Sequence, residues 1–251
     1  MIRTLVMIAV AGFAVSLVTI SAAVGIAGPQ AILDGGWTLG PAGWGDHHHW
    51  RSGDEGPQAT RNIPWSGGDA LDIDLPADVT YTQAAGPAKI TVSGPRDAIS
   101  DLEIQDGHIG YVRHSDHDSD LIIAISAPAV RKFTMESSGK LAIEGYNQDR
   151  LELSLEGDAD ATVKGAAKAV QLSISGSANA DLAALAVQTA KVEIDGSGDA
   201  TLKPTAAADI SLSGSGDATL LSDPPRLQTH ISGSGEVRRN NGETQTAGKD
   251  D

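Results

Sequence analysis

Two polar columns recur through the second half of this sequence. One holds Ser177, Ser197, Ser215 and Ser234, preceded by Ser138 and Asp158. The other holds Asn179, Asp199, Asp217 and Glu236, preceded by Lys140 and Asp160. Hydroxyls and carboxylates at a fixed interval can hydrogen-bond a polyhydroxyl chain such as a glycan. Oxygen-rich aspartate columns also suit a hard cation. Carboxylates about 5 Å apart in water repel by roughly 1 kcal/mol, so donors must offset them: serine hydroxyls, backbone N–H groups or an ion. The nine-residue Gly-Gly-x-Gly-x-Asp period of calcium-binding rolls is absent from the sequence. No cofactor is therefore expected, and calcium is the one ion the columns could take. The bland alternative is a polar surface that keeps the fold soluble and blunts its sides.

Two other clusters carry ligand-type side chains. Asp46-His47-His48-His49-Trp50 can bind a transition metal weakly, but it lacks a second ligand set at fixed spacing and reads as a solvated tether. Arg113-His114-Ser115-Asp116-His117-Asp118-Ser119-Asp120 reads as a polar hairpin loop. No Ser-His-Asp spacing, phosphate loop or zinc signature is present. The carboxylates recur by repeat position instead of forming one unique pair across a cleft, as glycoside hydrolysis requires. The chain is accordingly expected not to be an enzyme.

The polar columns belong to a longer repeat. Its clearest copies are Ile194-Asp-Gly-Ser-Gly-Asp-Ala-Thr-Leu202, Leu212-Ser-Gly-Ser-Gly-Asp-Ala-Thr-Leu220 and Ile231-Ser-Gly-Ser-Gly-Glu-Val237. Aligned on the first apolar residue, the copies begin at Met135, Leu155, Ile174, Ile194, Leu212 and Ile231, in steps of 18 to 20 residues. A fixed period of this size is a solenoid signature. Apolar or small residues alternate with polar ones at period two, which means extended chain with one face inward. A helix is excluded, because each interior glycine would cost about 1 kcal/mol.

These features predict an all-β fold: a right-handed β-helix or roll-like solenoid with a period of about 19 residues, capped by an irregular N-terminal β region. Each phrase is expected to be one strand crossing a narrow part of the solenoid, with its glycines and alanines facing inward. Residues 131–239 would form the solenoid and residues 69–130 the N-terminal region that closes one end. Within that region Asp106-Gly107 predicts a hairpin turn. The apolar run Leu121–Ile125 predicts a strand buried on both faces. Arg238 and Arg239 break the apolar columns at the last copy and read as a cap against end-to-end stacking. Residues 240–251 read as a disordered tail.

Arg3 followed by an uncharged apolar run from Leu5 to Ala27 predicts an export signal. The run is also long enough to remain as a membrane anchor. Residues 1–27 are thus a signal peptide or an anchor, and the membrane is met only through them. Residues 28–68 read as a flexible linker. The chain has 251 residues, a net charge of −15 and no cysteine. That charge argues against nucleic acid and anionic membrane surfaces, which want clustered Lys and Arg. Absence of cysteine removes disulfides, thiol catalysis and thiolate metal sites.

The repeated Ser-Gly-Ser-Gly-Asp-Ala phrase, with Leu71-Asp-Ile-Asp-Leu-Pro-Ala-Asp-Val79 upstream and a secretion signal, resembles the DUF2807 family, the putative auto-transporter adhesin head GIN domain. The resemblance covers about Trp65 to Val237. The family phrase falls on Gly196–Ala200, Gly214–Ala218 and, with Glu for Asp, Gly233–Val237; the copies Gly157-Asp-Ala-Asp and Gly176-Ser-Ala-Asn depart from it. The resemblance implies an exported cell-envelope protein with a β-helical fold and offers no catalytic residues to transfer. The expected function is a non-catalytic adhesion module for surface glycans or proteins, with Ser177, Asn179, Ser197, Asp199, Ser215, Asp217, Ser234 and Glu236 as its ligand-facing ladder. Alternatives are a purely structural envelope spacer and a polysaccharide-active β-helix enzyme.

Overall fold

The computed structural model describes residues 57–112, 121–239 and 244–246. The expected leader or anchor at 1–27, the histidine cluster at 46–50 and the Arg113–Asp120 string lie outside them. Among the described residues no helix is long and apolar enough to cross a membrane.

The first half of the chain forms seven strands and one helical turn. They are β1 (Gln58–Pro64), β2 (Ala70–Asp74), β3 (Ala77–Gln83), β4 (Lys89–Pro95), α1 (Arg96–Ser100), β5 (Leu102–Gln105), β6 (His108–Tyr111) and β7 (Leu121–Ala127). The repeat region contributes β8 (Lys132–Met135), β9 (Gly139–Gly157), β10 (Ala159–Gly176), β11 (Asn179–Asp181), β12 (Leu185–Gly196) and β13 (Asp199–Leu202). It ends with β14 (Pro204–Gly214), β15 (Ala218–Leu220), β16 (Arg226–Gly233), β17 (Glu236–Arg239) and β18 (Thr244–Thr246). The result is a β-solenoid of about five turns.

Two parallel ladders build each turn. The long ladder stacks β9, β10, β12, β14 and β16; the short one stacks β9, β10, β11, β13, β15 and β17. The apolar residues that open each repeat copy lie directly over one another: Met135 on Leu155, then Ile174, Ile194, Leu212 and Ile231. All but Ile231 are buried. One aliphatic side chain per turn, each worth about 1.5–3 kcal/mol when removed from water, makes the column a continuous core.

Each phrase is a corner, not the single crossing strand expected from its alternation. β12 stops at Gly196 and β13 starts at Asp199; β14 stops at Gly214 and β15 starts at Ala218. Gly196 has φ +134° and is partly exposed, so this glycine faces away from the core. The left-handed conformation turns the chain and interrupts the inward–outward alternation. Gly198, two residues on, is buried as expected. The close approach there is to the turn below: a Cβ on Gly198 would stand 2.1 Å from the Ala178 carbonyl oxygen.

The N-terminal region does more than close the end. β2 pairs in parallel with β8, Ile73 on Met135, and β3 pairs in parallel with β9, Val79 on Leu141. On their other edges β2 takes β6, Ile73 on Ile109, and β3 takes β7, Val79 on Ile123. Two additional layers therefore continue the core columns. They are stacked out of chain order, because β6 and β7 lie on the far side of β2 and β3 from β8 and β9. The cap proper is antiparallel: β4 on β7, β1 on β4, and the β5–β6 hairpin turning at Asp106-Gly107. β1 lies inside the stretch expected as linker, so ordered chain begins before residue 69. In β7, Leu121, Ile123 and Ile125 point inward while Ile122 is 60 % exposed. The strand is half-buried, not buried on both faces, because its outer face meets no second layer.

The opposite end is closed by two devices. Arg239 occupies the column position of Leu220 and reaches Asp223 at 3.3 Å, which ends the apolar stack. β18 then pairs antiparallel with β17, so Thr244–Thr246 is strand within the segment expected as tail.

Candidate functional site

The eight ladder residues follow from the corner geometry. Because each long strand ends on a glycine, the next residue starts the new side of the turn at the same height. Ser177, Ser197, Ser215 and Ser234 are all exposed at this corner. Their backbone N–H groups donate to the glycine carbonyls one turn below, at 2.8 Å for Ser177, Ser197 and Ser215 and 2.7 Å for Ser234. Backbone bonds thus fix the spacing, and the four hydroxyls form no hydrogen bond among the described residues.

The neighbouring column is handled differently. The Asn179 amide donates to Asp160 Oδ1 at 3.0 Å, which places a neutral donor between acidic turns. Asp199 Oδ1 accepts the Asp217 N–H at 2.9 Å, and Asp217 Oδ1 accepts the Glu236 N–H at 2.8 Å. Arg238 closes the series, 2.9 Å from both Asp217 Oδ2 and Glu236 Oε2. Backbone donors and one guanidinium therefore offset the carboxylate repulsion. Among the described residues no group of acidic or histidine side chains is arranged to hold a metal ion. Arg238 is the residue missed as part of the site. Its place two residues after Glu236 puts both on the same outward side of β17, a spacing that could have revealed it.

Each bound carboxylate ties one turn to the next. Asp217→Ala removes the acceptor for the Glu236 N–H and one of the two partners of Arg238. The expected loss is about 1 kcal/mol in urea unfolding, and Asp217→Asn, which keeps an acceptor, should restore most of it.

A second acidic group lies on the outer face of the first turns. Asp72 Oδ2 is 3.1 Å from His108 Nδ1. Beside them the negative charge of Asp72, with smaller contributions from burial, Glu156 and Asp74, holds the Glu136 carboxyl above its ordinary value. A carboxyl raised on folding opposes the fold when ionised and stops doing so as the pH falls through its folded value. Glu136→Gln is therefore expected to melt slightly higher than the parent chain at pH 7. That advantage should close as the pH drops below the ordinary carboxylate range, as thermal melts across the range would record.

A solenoid whose turns are joined at Gly-Ser-Gly-Asp corners can be compared with known proteins. Residues 67–224 match the sequence family described as putative auto-transporter adhesin, head GIN domain, DUF2807. The chain belongs to this family. Solved structures of similar fold exist. A putative adhesin from Bacteroides fragilis has 17 % identity and a TM-score of 0.58, covering 73 % of this chain and 97 % of its own. A putative lipid binding protein from Parabacteroides distasonis has 17 % identity and a TM-score of 0.49, with 73 % and 97 % covered. A putative adhesin from Parabacteroides merdae has 16 % identity and a TM-score of 0.46, with 73 % and 96 % covered. No curated protein matches the chain. As a DUF2807 member the chain is an adhesin-head domain at the level of its family, and its Gly-Ser-Gly-Asp corners all lie within or just beyond the matched residues.

Proposed function

We propose that this chain is a non-catalytic adhesion module, exported to the cell envelope, whose corner serines bind surface glycans or surface proteins. The observation that carries the proposal is the serine column: four exposed hydroxyls, unpartnered among the described residues, held at one fixed rise by backbone bonds. Successive strands in a ladder are about 4.8 Å apart, so a linear ligand meets a new donor–acceptor at each turn without ordering any protein. Preorganisation of this kind removes much of the entropic cost of binding. The aspartate column supports the non-catalytic reading, because its carboxylates are engaged with backbone N–H groups instead of being poised across a cleft.

The test is a binding survey with the purified chain against immobilised bacterial and host polysaccharides and surface proteins, with and without calcium. The quadruple change of Ser177, Ser197, Ser215 and Ser234 to Ala should leave the melting temperature nearly unchanged and weaken the best ligand at least about tenfold, from four lost hydrogen bonds of about 0.5–1.5 kcal/mol each. Unchanged binding would remove the serines from recognition. A spacer role has one observation in its favour, the use of the carboxylates to join turns, and absence of any ligand in the survey would select it.

A further inference from the structure

The far end of the long ladder, about eight residues before each corner serine, carries an open groove of about 750 Å³. Its floor is the stacked column Ala169, Thr189 and Ala207, and in the same register Arg150 stands at one end and Arg226 at the other. Along one side run Gln171, Lys191, Asp209 and Gln228. Three cations and one carboxylate, Asp209, thus line one groove in a chain with 33 acidic and 18 basic residues. Arg150 is held in place by Glu152 Oε1 at 2.8 Å and Gln171 Oε1 at 3.1 Å. Lys191 and Arg226 are exposed and have no hydrogen-bond or ion-pair partner among the described residues.

The chemistry of the lining groups selects the ligand class. Arg150 and Arg226 are four ladder steps apart, about 19 Å, with Lys191 about 10 Å from each along the stack. One strand of duplex DNA carries a phosphate every 3.4 Å or so, and single strands are gripped by aromatic stacking. The groove has no aromatic side chain on which bases could stack, so it does not match a nucleic-acid strand. Protein hot spots are mainly aromatic and arginine anchors seated in pockets, and the shallow Ala-Thr-Ala floor offers no such pocket. Amides at Gln171 and Gln228 suit sugar hydroxyls, and guanidinium groups suit carboxylates.

We infer that this groove binds a linear acidic polysaccharide lying across the turns, with uronate carboxylates facing Arg150, Lys191 and Arg226. The inference goes beyond the corner serines and does not depend on them.

The experiment uses the full chain and calcium-free polygalacturonate oligomers, with neutral dextran oligomers and oligothymidylate of equal length as competitors, read by calorimetry at low and moderate salt. Polygalacturonate should bind, weaken several-fold with added salt, and exceed dextran at least tenfold. The double variant Lys191→Ala/Arg226→Ala should lose at least tenfold, and Lys191→Arg/Arg226→Lys should keep the affinity, which separates charge from folding. Lys203→Ala, which removes an exposed cation outside the groove, should bind polygalacturonate as the parent does. The inference is overturned by equal binding of dextran, by tighter binding of oligothymidylate, by no binding at all, or by loss on changing Lys203 while the double cation variant binds normally.

Discussion

Gly196→Ala should be among the most damaging single changes in the chain, costing about 3 kcal/mol or more in urea unfolding. Two causes add. A side chain at φ +134° is strained wherever it occurs, by roughly 1–2 kcal/mol. In addition, the new Cβ would lie 2.3 Å from the Gly176 carbonyl oxygen and 3.1 Å from its nitrogen, so the two turns must separate. Gly157 is the internal control. It also has a left-handed φ, +82°, but a Cβ there meets nothing within 4 Å. Gly157→Ala should cost only the conformational part, about 1 kcal/mol. Equal losses at the two positions would refute the role given to contact between turns.

Phe133→Ala should cost about 3–5 kcal/mol, the range for emptying a buried aromatic site. Phe133 is fully buried where the out-of-order layers meet the regular turns. Its ring sits edge-on to Tyr81 at 4.9 Å and to Tyr146 at 6.4 Å, in a core that is otherwise mainly aliphatic. Such pairs add about 0.5–1.5 kcal/mol beyond burial. Tyr81 in turn donates to the Ala127 carbonyl at 2.9 Å and accepts the Val130 N–H at 3.4 Å, so the cluster fixes the chain between β7 and β8. Phe133→Leu, which refills most of the volume, should lose less than half as much. A loss near 1 kcal/mol for the alanine change would mean that the surroundings collapse into the site.

The regular turns were legible because a solenoid repeats its side chains at one height. Met135, Leu155, Ile174, Ile194, Leu212 and Ile231 are one column both in the sequence and in the strand register. The two earlier layers were hidden. Pro76 replaces the Gly-Ser corner between Ile73 and Val79, and residues 113–120 separate Ile109 from Ile123. Period-two alternation also assumes β conformation at every residue, which is why the partly exposed Gly196 was placed inside. Ile122 shows the converse: an unbroken apolar run does not reveal whether both faces are covered. For the site, the positions of the serines and acids were readable from spacing. The partners were not, since a backbone N–H one turn away and the Arg238 bridge depend on how the corner is closed.

The out-of-order packing at the N-terminal end also sets how this protein can change length over evolutionary time. β2 and β3 have both edges taken, by β6 and β7 on one side and β8 and β9 on the other. A tandem duplication there would yield a segment with no vacant neighbour. Downstream of β10 each turn touches only the turn before and the turn after, as in other stacked-repeat proteins. A duplicated stretch of about 19 residues could be spliced in or lost at any Gly-Ser-Gly-Asp corner while both end closures stay intact. Variation in reach among relatives should therefore be confined to the C-terminal turns, with the first layers serving as an invariant foundation.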